Sequence, residues 1–329
     1  MLDRVRHRII QVRFRADAWR SRLLKPGTRE YRRRTGEELE HYRAKFSTAG
    51  RLFEPAPPVW DEMQRRVAGL IRRATGHDLP GYVASRLAAR KQPRMISLGS
   101  GAGGVELAIA RQARHAQIVC LDLNRELLEM ARRAAQQEGL NIEVQQADLN
   151  LVELPERAFD LVFCHASLHH VLELEHVVEQ IRRTLRPGGE LVIVEIVTRN
   201  GYRMWPETRR VAQAIFRTLP ERYRVNHTAY PEPRIDQRIW EWDTRATGME
   251  CLRSEEIVTV LSRRLETVHL VPHFSLCRRF FDTMYGPNYD LERPLDRAIA
   301  DWIWELDRYY LESGRLEGET VFGVWRQRD

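Results

Sequence analysis

The chain has 329 residues, 43% hydrophobic and 30% charged, a length that allows one large domain with additions or two ordinary domains. Its four cysteines form no C-x-x-C pair, which argues against a disulfide framework or a zinc ribbon. The sequence shows neither an apolar run of roughly 20 residues nor an apolar N-terminal leader, so we expect a cytoplasmic protein. The net charge is +7, yet twelve basic and three acidic residues place +9 within 1–34; the basic character therefore belongs to one arm and not to the body of the protein.

This basic arm and linker, residues 1–34, has a helical pattern as well as a charge. Apolar side chains recur at spacings of three and four along one stripe that arginines surround: Leu2, Val5, Ile9, Val12, Ala16, Trp19 and Leu23. A basic amphipathic helix of this kind could bind an anionic membrane surface through residues 1–24, which would place the protein peripherally at the inner membrane surface. The alternative is a helix docked on its own domain or on the second subunit of a homodimer.

The next segment, 35–90, is predicted to be a helical cap. Thr35 and Glu38 have the spacing of a capping box, which predicts that a helix begins at Thr35. Another helix is predicted to begin after Pro58 and to end near Gly76. Helices at this place in the chain can cover a site.

From Arg94 onward, short apolar strands alternate with amphipathic helices, a pattern that predicts βαβ units and a parallel sheet covered on both faces. The predicted strands are 95–98, 118–121, 142–144, 161–163 and 191–196, and the predicted helices are 104–114, 124–138 and 174–185. Leu185–Gly189 (LRPGG) is predicted to end a helix in a glycine turn. The pattern is interrupted near 200–253 and returns with a helix that Ser254 caps, strands at 267–271 and 320–325, and a helix at 295–312.

A glycine-rich turn, Ser97–Gly104 (SLGSGAGG), joins the first of these strands to a helix. Without Cβ atoms, such a turn lets a ligand approach the main chain. It suits a dinucleotide, a phosphate or simply tight helix packing. Asp122 ends the next strand, 23 residues after Gly99, where a carboxylate can accept both hydroxyls of a ribose; its alternative role is a helix N-cap. Asp148 follows the third strand and could meet an adenine amino group, or serve only in a turn.

Five segments, in order, resemble the class I S-adenosylmethionine-dependent methyltransferases: ISLGSGAGGVEL, IVCLDLNRELLEMAR, ADLNLVEL, FDLVFCHASLHHV and LRPGGELVIVE, over about 94–196. The resemblance implies an α/β fold, a Rossmann-like three-layer sandwich. Its seven-stranded, mostly parallel sheet would have the order 3-2-1-4-5-7-6, with an N-terminal helical extension and helical lid insertions. We therefore expect an S-adenosylmethionine-binding core at 91–200, an acceptor-side insertion or lid at 201–253, and the rest of the core at 254–329 with a helical insertion near 275–318.

The resemblance also implies a role for each residue that matches the motifs, with S-adenosyl-L-methionine as cofactor. The methionine part would lie against Gly99, Ser100, Gly101 and Gly103. Asp122 and Leu123 would hold the ribose, Asp148 and Leu149 the adenine, and His165 would border the sulfonium end.

Methyl transfer from a sulfonium is an in-line displacement that depends mainly on alignment, and a base is needed only where the acceptor starts protonated. His165 and His169 are the candidates, because they follow the fourth strand and are four residues apart. His170 would point elsewhere if the segment is helical. The alternative is that LHHV only packs and caps the next helix. No metal is expected, because no carboxylate stands at ligand spacing beside these histidines.

The aromatic residues of the insertions favour a small-molecule acceptor, such as a natural product, a sugar or a lipid-linked metabolite, methylated at oxygen or nitrogen. A membrane lipid, RNA, an NAD-dependent oxidoreductase and a non-catalytic S-adenosylmethionine-binding module remain as alternatives. Cys164–Ser167 lacks the Asn/Asp-Pro-Pro-aromatic motif of base-amine methylation, which argues against a nucleic acid. Gly99, Gly101 and Gly104 fit G-x-G-x-x-G, but Gly103 adds a glycine typical of methyltransferases.

Overall fold

The centre of the structure is one twisted sheet. The computed structural model describes residues 24–49, 56–245 and 248–328. The strands are β1 (Arg94–Leu98), β2 (Gln117–Asp122), β3 (Ile142–Gln146), β4 (Phe159–His165), β5 (Leu185–Ile196), β6 (Val225–Asn226), β7 (Arg234–Ile235), β8 (Glu266–His273) and β9 (Thr320–Arg326).

The helices lie between these strands and ahead of them. They are α1 (Arg29–Ala49), α2 (Pro58–Thr75), α3 (Leu79–Ala88), α4 (Gly104–Gln112), α5 (Arg125–Glu138), α6 (Leu174–Thr184), α7 (Pro206–Thr218), α8 (Ile257–Arg264), α9 (Cys277–Phe281) and α10 (Pro294–Glu312). A single 3-10 turn, Leu168–His170, follows β4. Among the described residues, none of the helices combines the length and the hydropathy of a membrane-spanning segment.

Within the described ranges, seven strands form the sheet, in the order β3-β2-β1-β4-β5-β9-β8. β1 pairs in parallel with β2 and with β4, and β9 is antiparallel to both of its neighbours. Because β6 and β7 form a separate hairpin, this is the predicted order 3-2-1-4-5-7-6, and the predicted fold is confirmed. The carboxyl ends of β1, β2, β3 and β4 meet at one edge, where the chain carries its glycine turn and its two aspartates.

Alternate side chains of each strand pack on opposite faces of the sheet, as a period of two requires. Met95 joins the apolar cluster beneath α2, α3 and α4, whereas Ile96 joins the cluster beneath α6 and α8. Both residues are at most 2% exposed. Strands buried on both faces read as continuous apolar runs, which is why the sequence shows them clearly.

Three local predictions are wrong. The helix expected from Thr35 begins at Arg29, because the Thr28 hydroxyl accepts the Tyr31 N–H at 3.2 Å and caps it earlier. Leu185–Gly189 is part of β5, beside an irregularity in the β4–β5 ladder, since α6 already ends at Thr184. Ser254 does not cap α8: its hydroxyl donates to the carbonyl of Thr198, and a 3-10 turn precedes the helix.

The segment expected to be an insertion contains α7 and the β6–β7 hairpin. The helical stripe predicted for the N-terminal arm, Leu2 to Leu23, lies outside the described residues. Leu24, the first described residue, is 4% exposed.

Candidate active site

A cavity of about 530 Å³ opens at the carboxyl edge of the sheet, between the strand ends and α1. All nine residues predicted to contact the cofactor line it: Gly99, Ser100, Gly101, Gly103, Asp122, Leu123, Asp148, Leu149 and His165. α1 contributes Tyr31, Glu38 and Tyr42 to the opposite wall. His170 also lines the cavity, whereas His169 does not.

The glycine turn is held in a shape that side chains would obstruct. Gly99 has φ +73°, and a Cβ there would stand 2.4 Å from the Cβ of Ser167. Gly103, at φ +72°, precedes α4, and its Cβ would stand 2.9 Å from that of Ala131. The Gly99 and Ser100 N–H groups donate to the carbonyl of Leu121 at 2.7 and 2.9 Å, which ties the turn to β2. The turn therefore presents main chain to the cavity.

Asp122 ends β2 and braces the same turn. Its Oδ2 accepts the Gly101 N–H at 2.8 Å and its Oδ1 accepts the Asn124 N–H at 2.7 Å. Asn124, not Asp122, is the N-cap of α5. Burial raises the pKa of Asp122, and these two N–H donors act against that rise. Each carboxylate oxygen keeps a lone pair for a further donor, such as a ligand hydroxyl.

Asp148 is reached by a residue that the sequence did not reveal. The Tyr31 hydroxyl of α1 donates to the Asp148 carboxylate, at 2.8 Å from Oδ1 and 2.7 Å from Oδ2, and accepts from the Asn150 amide at 2.9 Å. Burial and the Asp148 charge raise the pKa of Tyr31, so the phenol stays a donor. Tyr31 falls in a segment interpreted as linker, and nothing in the local pattern marks it.

The candidate bases occupy different positions. His165 is the last residue of β4 and faces the cavity, and burial lowers its pKa, which keeps the ring neutral. His169 is 2% exposed, with Nδ1 at 2.8 Å from Oε2 of Glu195. The other oxygen of Glu195 accepts the N–H groups of Ser167 and Leu168, each at 2.6 Å. His169 and Glu195 therefore fix the loop that follows β4.

His170 faces the cavity because the segment forms a 3-10 turn instead of an α-helix. Its Nδ1 lies 3.0 Å from Oε1 of Glu38, and its Nε2 lies 3.6 Å from Oε2 of Glu250. Burial acts to lower the pKa of His170, but Glu38 and Glu250 outweigh it and raise the pKa to about 9. At neutral pH this ring is a cation that joins α1 to the cavity wall.

Glu250 reaches these histidines from a part of the chain far from them in sequence. Its Oε1 lies 3.5 Å from Nε2 of His169, and the Cys251 thiol donates to the same oxygen at 3.5 Å. One ligand atom from each of these three residues lies within 4.8 Å of the others, a spacing that a cation could use. The sequence predicts no metal because no carboxylate stands at ligand spacing beside the histidines, but the fold brings Glu250 beside them. In the structure the His169, Glu250 and Cys251 side chains contact one another.

Comparison with known proteins agrees with this geometry. Residues 96–193 match a family model described as a methyltransferase domain. The chain is 33% identical over 110 residues to a demethylmenaquinone methyltransferase of Thermus thermophilus, covering 33% of this chain and 50% of that protein. It is 29% identical over 137 residues to a sterol 24-C-methyltransferase of Aspergillus fumigatus, covering 41% and 36%. The first matched relatives are thus spanned over about half of their length.

Solved structures with a similar fold share a lower sequence identity with this chain than these relatives do. A methyltransferase from Mesorhizobium loti that depends on S-adenosylmethionine shares 18% identity at a TM-score of 0.42, over 75% of this chain and 98% of that one. A geranyl diphosphate methyltransferase solved with S-adenosylmethionine shares 12% at a TM-score of 0.46, over 82% and 89%.

Proposed function

We propose that the chain is a class I S-adenosylmethionine-dependent methyltransferase and that it transfers a methyl group from S-adenosylmethionine to an oxygen or nitrogen atom of a small-molecule acceptor. One observation carries this proposal: the glycine turn, Asp122, Asp148 and His165 line a single cavity. These groups come from four successive strand ends, and an ordinary helix cap or turn would not require them to meet.

The residues of the cavity fit this cofactor. The main chain of the glycine turn would hold the methionine part, Asp122 would accept the ribose hydroxyls, and Asp148 would accept from the adenine amino group. The Ser100 hydroxyl is buried and, beyond its interaction with the Cys120 thiol, makes no regular hydrogen bond to the described residues, so it is available to a ligand. When bound, S-adenosylmethionine supplies an electrophilic methyl group on a sulfonium.

His165 is our candidate for accepting a proton from a hydroxyl or an ammonium acceptor. A base must face the reactants and be unprotonated at the working pH, and His165 meets both conditions because burial lowers its pKa. His170 faces the cavity as a cation, so we assign it no proton-accepting role. His169, predicted as the other base, would act through Glu195 by holding the loop after β4.

A lipid-linked acceptor methylated at carbon is the second candidate. The names of two relatives, a demethylmenaquinone methyltransferase and a sterol 24-C-methyltransferase, favour it. The lining of the cavity is compatible with an apolar acceptor, since Leu39, Tyr42 and Met249 contribute to it. Carbon methylation would need deprotonation of a ring hydroxyl or of a carbon, so the same neutral imidazole would serve.

Calorimetric titration with S-adenosylmethionine and with NAD, side by side, tests the cofactor. We expect S-adenosylmethionine alone to bind, and Asp122→Ala to weaken it about tenfold or more, because a charged group loses its hydrogen bonds to the ligand. Glu156→Gln is the matched control: this acid precedes β4 at the opposite edge of the sheet, in an exposed pair with Arg183. NAD binding, or equal affinities in the Asp122 and Glu156 variants, would contradict the proposal.

A further inference from the structure

Arg278 lies at the edge of the sheet that carries the cavity, on the side of β5 and β9. It belongs to the short helix α9 and is half-buried. Its Nη1 donates to the Thr320 hydroxyl at 3.3 Å. Thr320 begins β9 and pairs with Ile196, the last residue of β5. The guanidinium is therefore at the end of the sheet where ligands of open α/β folds bind.

The hydrogen bonds of Arg278 go to neutral groups. Nε donates to the Tyr202 hydroxyl at 2.8 Å, and in the described ranges no carboxylate oxygen lies within ion-pair distance of this guanidinium. Its neighbour Arg279 instead pairs with Glu319 at 2.7 Å. Glu319 and Asp282 act on Arg278 only through space, and Asp282 is engaged by the Met284 N–H.

One end of the guanidinium is left for another partner. Nη2 makes no hydrogen bond to a described residue, and it is not among the atoms that burial isolates from solvent. Tyr202, Glu319 and Asp282 raise the pKa of Arg278 against the effect of burial, so the guanidinium stays charged. The free donors of this charged group can bind an anion.

Two aromatic rings flank this group. The guanidinium carbon lies 5.2 Å from the centroid of the Tyr202 ring and 6.0 Å from that of Trp60. Stacking of this kind fixes the orientation of an arginine. Arg279 also lies over the Tyr202 ring, at 5.4 Å, and Phe274 packs against Trp60 with the centroids 4.9 Å apart, so both rings are held in place.

Arg278 is connected to the cavity through Glu250. Its charge is among those that lower the pKa of Glu250, after His169 and His170 and against the effect of burial. Glu250 contacts His170, which lines the cavity. The Gly201 N–H, next to Tyr202, donates to the carbonyl of Cys251 at 2.7 Å, so the two loops are joined. Arg278 is therefore on the Glu250 side of the cavity, although it is not itself one of the lining residues.

We infer that Arg278 binds an oxyanion of the methyl acceptor, a carboxylate or a phosphate, through Nη2, with the Tyr202 and Trp60 rings fixing the orientation of the guanidinium. This assignment rests on the proposed function and narrows its acceptor to anionic compounds. Arg278 would then determine which acceptors bind, whereas other residues hold the cofactor.

The test uses the full chain saturated with S-adenosylhomocysteine and four probes: benzoate, phenyl phosphate, benzamide and benzyl alcohol. We expect the two anions to bind and to raise the melting temperature at constant ionic strength, and the two neutral probes to do neither. Arg278→Gln should weaken anion binding tenfold or more while leaving the affinity for S-adenosylhomocysteine unchanged. Arg278→Lys should recover only part of the loss, since a lysine lacks the planar fork.

Arg132→Gln is the matched control, because this half-exposed arginine pairs with Glu129 on α5 and, in the described part of the chain, with no other carboxylate. Tyr202→Phe removes the hydroxyl that holds Nε and should weaken the anions less than Arg278→Gln does. The proposal is wrong if neutral and anionic probes bind the wild type alike, if neither anion binds, or if Arg278→Gln binds them as Arg132→Gln does. Loss of S-adenosylhomocysteine binding in the wild type would instead overturn the proposed function.

Discussion

At Gly99 two independent constraints exclude a side chain: a left-handed backbone and the nearby Cβ of Ser167. We predict that Gly99→Ala destabilises the fold by roughly 2–4 kcal/mol, adding the cost of this φ to that of overpacking, and weakens S-adenosylmethionine binding. Urea unfolding and calorimetry measure the two effects. Gly104→Ala is the control, since a Cβ there meets nothing within 4 Å and φ is ordinary. Equal stability of the two variants would contradict this account of the turn.

The ion pair between His170 and Glu38 makes stability depend on pH. Because the pKa of His170 is raised from 6.5 to about 9, the pair contributes fully below pH 6.5, and its contribution is lost as the pH rises through about 9. We predict that the difference in unfolding free energy between wild type and His170→Gln shrinks over this window. Urea unfolding across the window measures it, and a difference that does not change with pH would exclude the pair as its source.

The positions of the cofactor residues could be predicted from sequence because each follows a strand, and parallel strands bring their carboxyl ends to one edge. Tyr31, His170 and Glu250 could not be predicted in this way. Tyr31 and Glu250 reach the cavity from distant segments, and His170 depends on whether three residues form a 3-10 turn or an α-helix. Sequence periodicity does not distinguish those two over so short a stretch.

Among the elements, α1 is unusual because it covers the cavity while burying few apolar side chains. Of its described side chains over 29–43, only Tyr31 and Arg34 are buried. Polar contacts hold it instead: Tyr31 to Asp148, Glu38 to His170 and to the Met249 N–H at 2.9 Å. A helix attached in this way has a low free energy of local opening.

We predict that S-adenosylhomocysteine slows amide hydrogen exchange over 29–43, because a ligand beneath α1 gives the helix further contacts. Tyr31→Phe should speed exchange there in the free protein while leaving β1 and β4 unchanged. Exchange measured by mass spectrometry resolves these segments. If the ligand slows exchange in the strands but not in α1, the helix does not close over the cavity.

The start of α1 shows why element boundaries are harder to predict than elements. Thr28 and Thr35 are both able to cap a helix, and the sequence favours Thr35 because Glu38 completes its box. In the fold, Tyr31 lies in the first turn of α1 and its hydroxyl donates to Asp148, a distant hydrogen bond that accompanies the earlier start. Glu38 is then free to pair with His170.

Over the whole molecule, the strand order of the sheet could be predicted because the five ordered motifs resemble those of a family with a known sheet topology. The two later strands could be predicted from their apolar residues. The contents of 201–253 could not be predicted. There the chain is held by side-chain hydrogen bonds between residues far apart in sequence. Glu241 accepts the Met204 N–H at 2.8 Å within the segment, and the hydroxyl of Tyr285, outside it, accepts the Trp240 N–H at 3.1 Å. Such contacts leave no periodic trace in the sequence.

The positive charge of the molecule is concentrated at one end of the sequence, since residues 1–24 hold seven arginines and two aspartates. A basic residue near an anionic bilayer contributes about 1 kcal/mol, so we predict that the full chain sediments with anionic vesicles and that a chain beginning at residue 25 does not. Neutral vesicles and added salt should release the full chain. If both chains stay in the supernatant, the arm has another role. Because the cavity is lined by residues between 31 and 249, the shortened chain should keep its affinity for S-adenosylmethionine, which separates lost targeting from lost folding.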